Sequence, residues 1–169
     1  MMRVTSLESV GGYRDDLIAG EEPELCVRLR QAGWKIRRLD QEMTLHDAAM
    51  TRFSQWWMRT VRAGYAFANG AWLHGAPPEC HWVRETRRAY IWGLFLPLTI
   101  VIAFALVGPW GALLPGLAYP LQWLRLLRRN GSTRTSTFML IGKFAEAWGA
   151  LKFFHSRLRG VAAPIIEYK

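Results

Sequence analysis

No charged side chain occurs between Ala89 and Leu124, and arginines close the stretch at both ends. An uninterrupted apolar run of this length leaves few folds open, because lipid or a large protein core has to cover it. Tyr90 to Val107 is 18 residues, close to the length that crosses a hydrocarbon core of about 30 Å at about 1.5 Å per residue. Gly108-Pro109-Trp110-Gly111 carries a turn signal. Ala112 to Leu124 is shorter, contains Pro115 and Pro120, and reaches only about 20 Å as a helix. The pattern predicts a transmembrane hairpin over residues 90–124, with crossings at 90–107 and 112–124; a re-entrant second segment is the alternative. Arg84, Arg87 and Arg88 before it, and Arg125, Arg128 and Arg129 after it, place both outer ends on the cytoplasmic side.

The charge distribution supports that division. The first 70 residues carry 10 Lys+Arg against 9 Asp+Glu, and the remaining 99 carry 12 against 4. The net charge of +9 therefore belongs to the part that holds the apolar segments. Basic residues bracketing apolar runs orient membrane proteins, whereas a nucleic-acid binder concentrates charge on a folded face or arm. No nucleic-acid partner is expected. Cys26 and Cys80 form no CxxC pair and suggest neither a metal site nor a disulfide framework. Met1 to Gly20 lacks the apolar core of a signal peptide.

Ahead of the apolar stretch, Gly20-Glu21-Glu22-Pro23-Glu24-Leu25 opens a short helix that Gly33 ends. Pro23 suits the first helical position, which makes Glu22 the expected N-cap. Leu25, Leu29 and Ala32 recur at helical spacing on one face, with Arg28, Arg30 and Gln31 away from it. Glu21, Glu22 and Glu24 crowd the end where the helix dipole favours ionised carboxylates. Plain charge complementation accounts for such a cluster when it stands alone.

Trp34 to Asp40 alternates in part and predicts a strand, and Met43 to Asp47 a second short one that includes His46. From Thr51 to Gly70, Phe53, Trp56, Trp57, Val61 and Tyr65 repeat at three- and four-residue intervals, the pattern of an amphipathic helix. Arg59 and Arg62, one turn apart on its polar side, could grip a diphosphate, pair with carboxylates or meet lipid headgroups. Residues 71–89 read as a polar linker. Residues 125–169 read as a basic loop and a C-terminal amphipathic helix, Thr137 to Arg159, whose charge and aromatic content suit the membrane interface; a core helix of a soluble domain is the alternative, for which little soluble chain remains as cover.

Taken in order, Gly11-Gly12-Tyr13, Gly20-Glu21-Glu22-Pro23-Glu24-Leu25, Arg28-Leu29-Arg30, Gly33-Trp34 and His46 resemble the second half of the catalytic domain of membrane-anchored family 2 glycosyltransferases. The resemblance covers roughly the first 70 residues, and the aromatic helix, apolar segments and Ile165-Ile166-Glu167-Tyr168-Lys169 extend it. It implies an α/β fold of the GT-A type over residues 1–70 and transfer of a sugar from a nucleotide-diphosphate donor to a glycan or lipid-linked acceptor. It also implies a divalent metal, Mg²⁺ or Mn²⁺. Glu22 stands where that family has its catalytic Asp and would take the acceptor hydroxyl's proton. Glu21 and Glu24 would orient the base or bind acceptor hydroxyls. His46 would lie near the metal or diphosphate, and Arg59 or Arg62 would contact the diphosphate.

The sequence departs from the family in lacking Asp-x-Asp, the usual metal motif, and the nucleotide-binding units that precede it. The expectation is therefore a partial enzyme, inactive by itself, whose donor binding comes from elsewhere, for example a separate donor-binding polypeptide. The competing expectation is a non-catalytic, membrane-anchored assembly module. Both place the chain in the inner or plasma membrane, with residues 1–70 on the cytoplasmic side.

Overall fold

The computed structural model describes residues 2–37, 40 and 50–160. Among them every regular element is helical: α1 (Val4–Ser9), α2 (Glu21–Gln31), α3 (Phe53–His74), α4 (Val83–Tyr90), a π-helical turn (Ile91–Phe95), α5 (Leu96–Val107), α6 (Pro109–Gly116), α7 (Ala118–Asn130) and α8 (Thr133–Leu158). This overturns the α/β expectation and, with it, the GT-A fragment. Trp34 to Arg37, the described part of the first predicted strand, adopts no regular structure. A strand is stable only against a partner strand, and there is none among the described residues. Trp34 instead donates its indole N–H to the Ser9 hydroxyl at 3.0 Å, drawing the segment onto α1. The second predicted strand and His46 lie outside the described residues.

The helix predicted between Gly20 and Gly33 is present, one turn boundary earlier than expected. Gly20, at φ +89°, is the N-cap rather than Glu22, so Pro23 occupies the third helical position. Pro is still tolerated there, since none of the first four N–H groups has an intrahelical partner. At the other end Gly33 sits at φ +84°. Its N–H reaches the Arg30 carbonyl and that of Trp34 the Leu29 carbonyl, both at 2.9 Å, the paired bonds of a Schellman cap.

The predicted amphipathic helix runs on to His74 and so takes in part of the expected linker. Gln55 folds back over its start and accepts the N–H groups of Thr51 and Arg52, each at 3.1 Å. α3 packs along α8, and the crossing is built on small residues. A Cβ on Gly64 would run into the backbone of Glu146, and one on Gly149 into the backbone of Val61. Such contacts let helix backbones approach closely. Ile18, Tyr65, Ala68, Ala150 and Phe153 form the core at this crossing, with Tyr90 against it. Tyr65 meets Phe153 edge-on at 5.3 Å. α8 is thus a packed core helix, not the interfacial helix expected: Gly142, Ala145, Ala147, Gly149, Ala150 and Phe153 are all buried.

α4, the π-helical turn and α5 run as one helix, Val83–Val107, long and apolar enough to cross a membrane. Its 25 residues reach about 37 Å, more than a hydrocarbon core needs. None of its most apolar window is buried by the rest of the chain. Leu98, Val101, Phe104 and Leu106 are all more than half exposed, so lipid is the natural cover. The second predicted crossing differs. It divides at Leu117 into α6, which has Pro115 inside it, and α7. Among the described residues Val83–Val107 is the one helix that meets the length and hydropathy of a span. α6 still folds back on α5: a Cβ on Gly111 would lie 2.5 Å from the Ala103 carbonyl oxygen.

The π turn has a local cause. Leu96 donates to the Ile91 carbonyl, one residue further back than in an α-helix. The next residue, Pro97, has no N–H to return to the Trp92 carbonyl. The Tyr119 hydroxyl supplies the missing bond at 2.8 Å and ties α7 to the span.

Candidate functional site

The acidic start of α2 is held in place from four directions. Ile18, two residues before its N-cap, is buried in the α3–α8 core, and Arg62 donates both Nε (2.9 Å) and Nη2 to its carbonyl. Trp82 packs against Gly20, where a Cβ would lie 2.6 Å from the indole Cη2. Arg30 pairs with Glu79 at 2.5 Å, joining α2 to the loop after α3. The fourth anchor is Arg28, whose Nε lies 2.9 Å from both oxygens of Glu24. Its Nη1 donates to the Val10 carbonyl and its Nη2 to that of Gly12, the latter at 2.8 Å. The glycine-glycine turn and the acidic helix are thereby fixed to each other by one guanidinium.

The three glutamates have different surroundings. Glu24 is 1% exposed, and besides Arg28 it meets His74 Nε2 at 2.9 Å. Burial on its own would raise its carboxyl, but hydrogen bonds from Arg28 and His74 outweigh that and hold it below its ordinary value of 4.5. A carboxylate kept ionised and saturated in this way is a poor proton acceptor. Its role is to tie α2 to the end of α3. Glu22 is exposed and Glu21 half-buried. Among the described residues neither has an ion-pair partner.

Glu21, Glu22 and Glu24 therefore share one helical turn, as the sequence suggested, but they divide into a buried structural carboxylate, a half-buried Glu21 and an exposed Glu22. Arg62 is spent on the Ile18 carbonyl. Arg59 is exposed, and its described contact is the Met50 sulfur at 4.0 Å. The two arginines thus have separate partners, Met50 and the Ile18 carbonyl. His46 lies outside the described residues. No group of three or more His, Cys, Asp or Glu that could hold a metal ion occurs among the described residues. With Glu24 committed to Arg28 and His74, they do not supply a donor set for the divalent metal that the resemblance implies.

His74 and His81 are the residues that sequence reasoning missed. His74 closes the Glu24 cluster. His81 stacks on Trp82 with ring centroids 4.3 Å apart, and its Nε2 is buried without a hydrogen-bond partner. Burial foremost, then the nearby His74 and Arg30, pushes its pKa below the ordinary imidazole value. No local pattern marks either histidine, because each acts on a residue about 50 positions away or on a ring packed by the fold.

Comparison with family models, with curated proteins and with solved structures found no match.

Proposed function

We propose that the chain is the acceptor-side, membrane-associated part of a glycosyltransferase. That enzyme moves a sugar from a nucleotide-diphosphate donor to a glycan or lipid-linked acceptor at the cytoplasmic membrane face. The observation that carries the reading is the division of labour in the first turn of α2. Glu24 is consumed in fixing that turn, and Glu22 is left exposed and, among the described residues, without an ion-pair partner.

A positioned carboxylate can take the proton of an acceptor hydroxyl as its oxygen attacks the anomeric carbon and the nucleoside diphosphate leaves. Arg28, Arg62 and Ile18 act as positioning residues for this turn. Donor binding is supplied by residues outside this sequence, and no step is routed through a metal. The arginines at both ends of the apolar segment support a cytoplasmic position for the α2 side. Glu22→Gln in the complete donor-plus-acceptor protein tests the assignment: transfer is expected to collapse while donor binding persists.

A non-catalytic assembly module is the second reading. It is favoured by the commitment of Arg62 to the Ile18 carbonyl, which leaves it unavailable to a diphosphate. Full turnover by the Glu22→Gln protein would decide for it.

A further inference from the structure

At the polar end of the membrane span, α4, the π turn, α7 and α8 enclose a cavity of about 180 Å³. Arg88, Arg125, Arg129 and Lys143 line it, together with Gln122 and Trp92, and among the described residues no carboxylate does. Four cations from three separate helices thus face one small space. Lys143 is paired with Glu146 at 2.5 Å, a residue outside the lining. Arg129 makes one 3.3 Å bond to its neighbour Asn130. Arg88 and Arg125 have no ion-pair partner among the described residues. Gathering like charges is unfavourable unless a counter-anion joins them.

The framework is rigid. Gly93 packs directly on the Lys143 backbone, and the Tyr119 hydroxyl holds the Trp92 carbonyl. The position along the span identifies the class of anion. Arg88 lies directly before the charge-free run and Arg125 directly after it. Trp92 and Tyr119 meet with ring centroids 6.1 Å apart and Trp123 follows one turn later on α7, aromatic side chains of the kind enriched at a membrane–water boundary. Leu121 and Leu124 are exposed apolar residues of α7.

We infer that this cavity binds the phosphate headgroup of an anionic membrane lipid. The guanidinium forks hold the phosphate oxygens, and the acyl chains lie along the exposed apolar side of α7 and the span. The site stands whether or not Glu22 is a catalytic base.

The test uses the full chain in a neutral maltoside, titrated calorimetrically with mixed micelles of dioleoyl phosphatidic acid, with phosphatidylcholine micelles, and with inorganic phosphate. Phosphatidic acid is expected to saturate near one per chain and to bind at least about tenfold more tightly than phosphatidylcholine. Arg125→Gln combined with Arg129→Gln is expected to weaken phosphatidic acid about tenfold or more. Arg84→Gln combined with Arg128→Gln removes as much charge, from α4 and α7 outside the cavity lining, and is expected to cost less than about threefold. Arg88→Gln serves as an independent second probe, and unchanged circular dichroism confirms folding of each variant. Equal losses in the two double variants would reduce the binding to diffuse surface attraction and overturn the inference. So would equal affinity for phosphatidylcholine, or displacement of phosphatidic acid by inorganic phosphate at similar concentration, which would make this a free-anion site.

Discussion

Replacing Glu24 with Gln keeps the side-chain shape and removes its charge, and the structure sets the cost. The Arg28 guanidinium has its bonds to Val10 and Gly12 but loses its one ion-pair partner among the described residues. His74, at 12% side-chain exposure, loses the carboxylate it meets. Breaking a buried pair from one side costs about 3–5 kcal/mol. Arg28 retains 18% side-chain exposure, so water recovers part of that, and about 3 kcal/mol is the working figure. For a chain of 169 residues this corresponds to a fall in Tm of about 6–12 °C. Glu22→Gln, on an exposed residue one turn position away, is expected to stay within about 0.5 kcal/mol of the parent.

The assay is thermal unfolding of both variants in a neutral maltoside at one scan rate, since membrane proteins often unfold irreversibly. The pH dependence adds a second readout. Glu24 has its folded pKa below the ordinary 4.5, so its contribution is present above about that pH and fades as the pH falls through the lower folded value. The gap between parent and Glu24→Gln should therefore be full at pH 7 and narrow below pH 4.5. Equal melting temperatures for the two variants, or a larger loss for Glu22→Gln, would refute the division of labour among the glutamates.

Two further outcomes probe the helical framework. Gly64→Ala, whose Cβ meets the Glu146 backbone, is expected to lose about 1–3 kcal/mol in denaturant unfolding, whereas Gly142→Ala, with its nearest neighbour at 3.5 Å, should be neutral or gain up to about 1 kcal/mol from helix propensity. Tyr119→Phe leaves the Trp92 carbonyl without its partner and is expected to cost about 1–3 kcal/mol, with faster amide exchange around Leu96.

Features that depend on sequence-local physics were readable before the structure. The charge-free run marks a candidate span, and of the two crossings it suggested, one helix among the described residues, Val83–Val107, has the length and hydropathy for it. Gly33 marks the end of α2 because the left-handed cap requires little else. The α3 repeat is a helical repeat whatever it packs on. The predicted strand at Trp34 failed because alternation shows only that a segment could be half-buried, while a strand also needs a neighbour to accept its hydrogen bonds. α8 was misplaced at the membrane interface for a related reason. Its buried face is made of Gly142, Ala145, Gly149 and Ala150, small residues that carry little hydrophobic signal yet permit the closest packing on α3. The candidate site was half visible. The acidic turn is local, but which glutamate is free depends on Arg28 reaching back to Gly12 and on His74 arriving 50 positions later.

The most direct measurement of the sugar-transfer reading is kcat and donor affinity for Glu22→Gln in the complete donor-plus-acceptor protein, with melting temperature followed in parallel. Loss of a general base should lower kcat about 10²–10⁴-fold, with donor affinity and melting temperature unchanged. A kcat within about tenfold of the parent would contradict the assignment of Glu22 as the base.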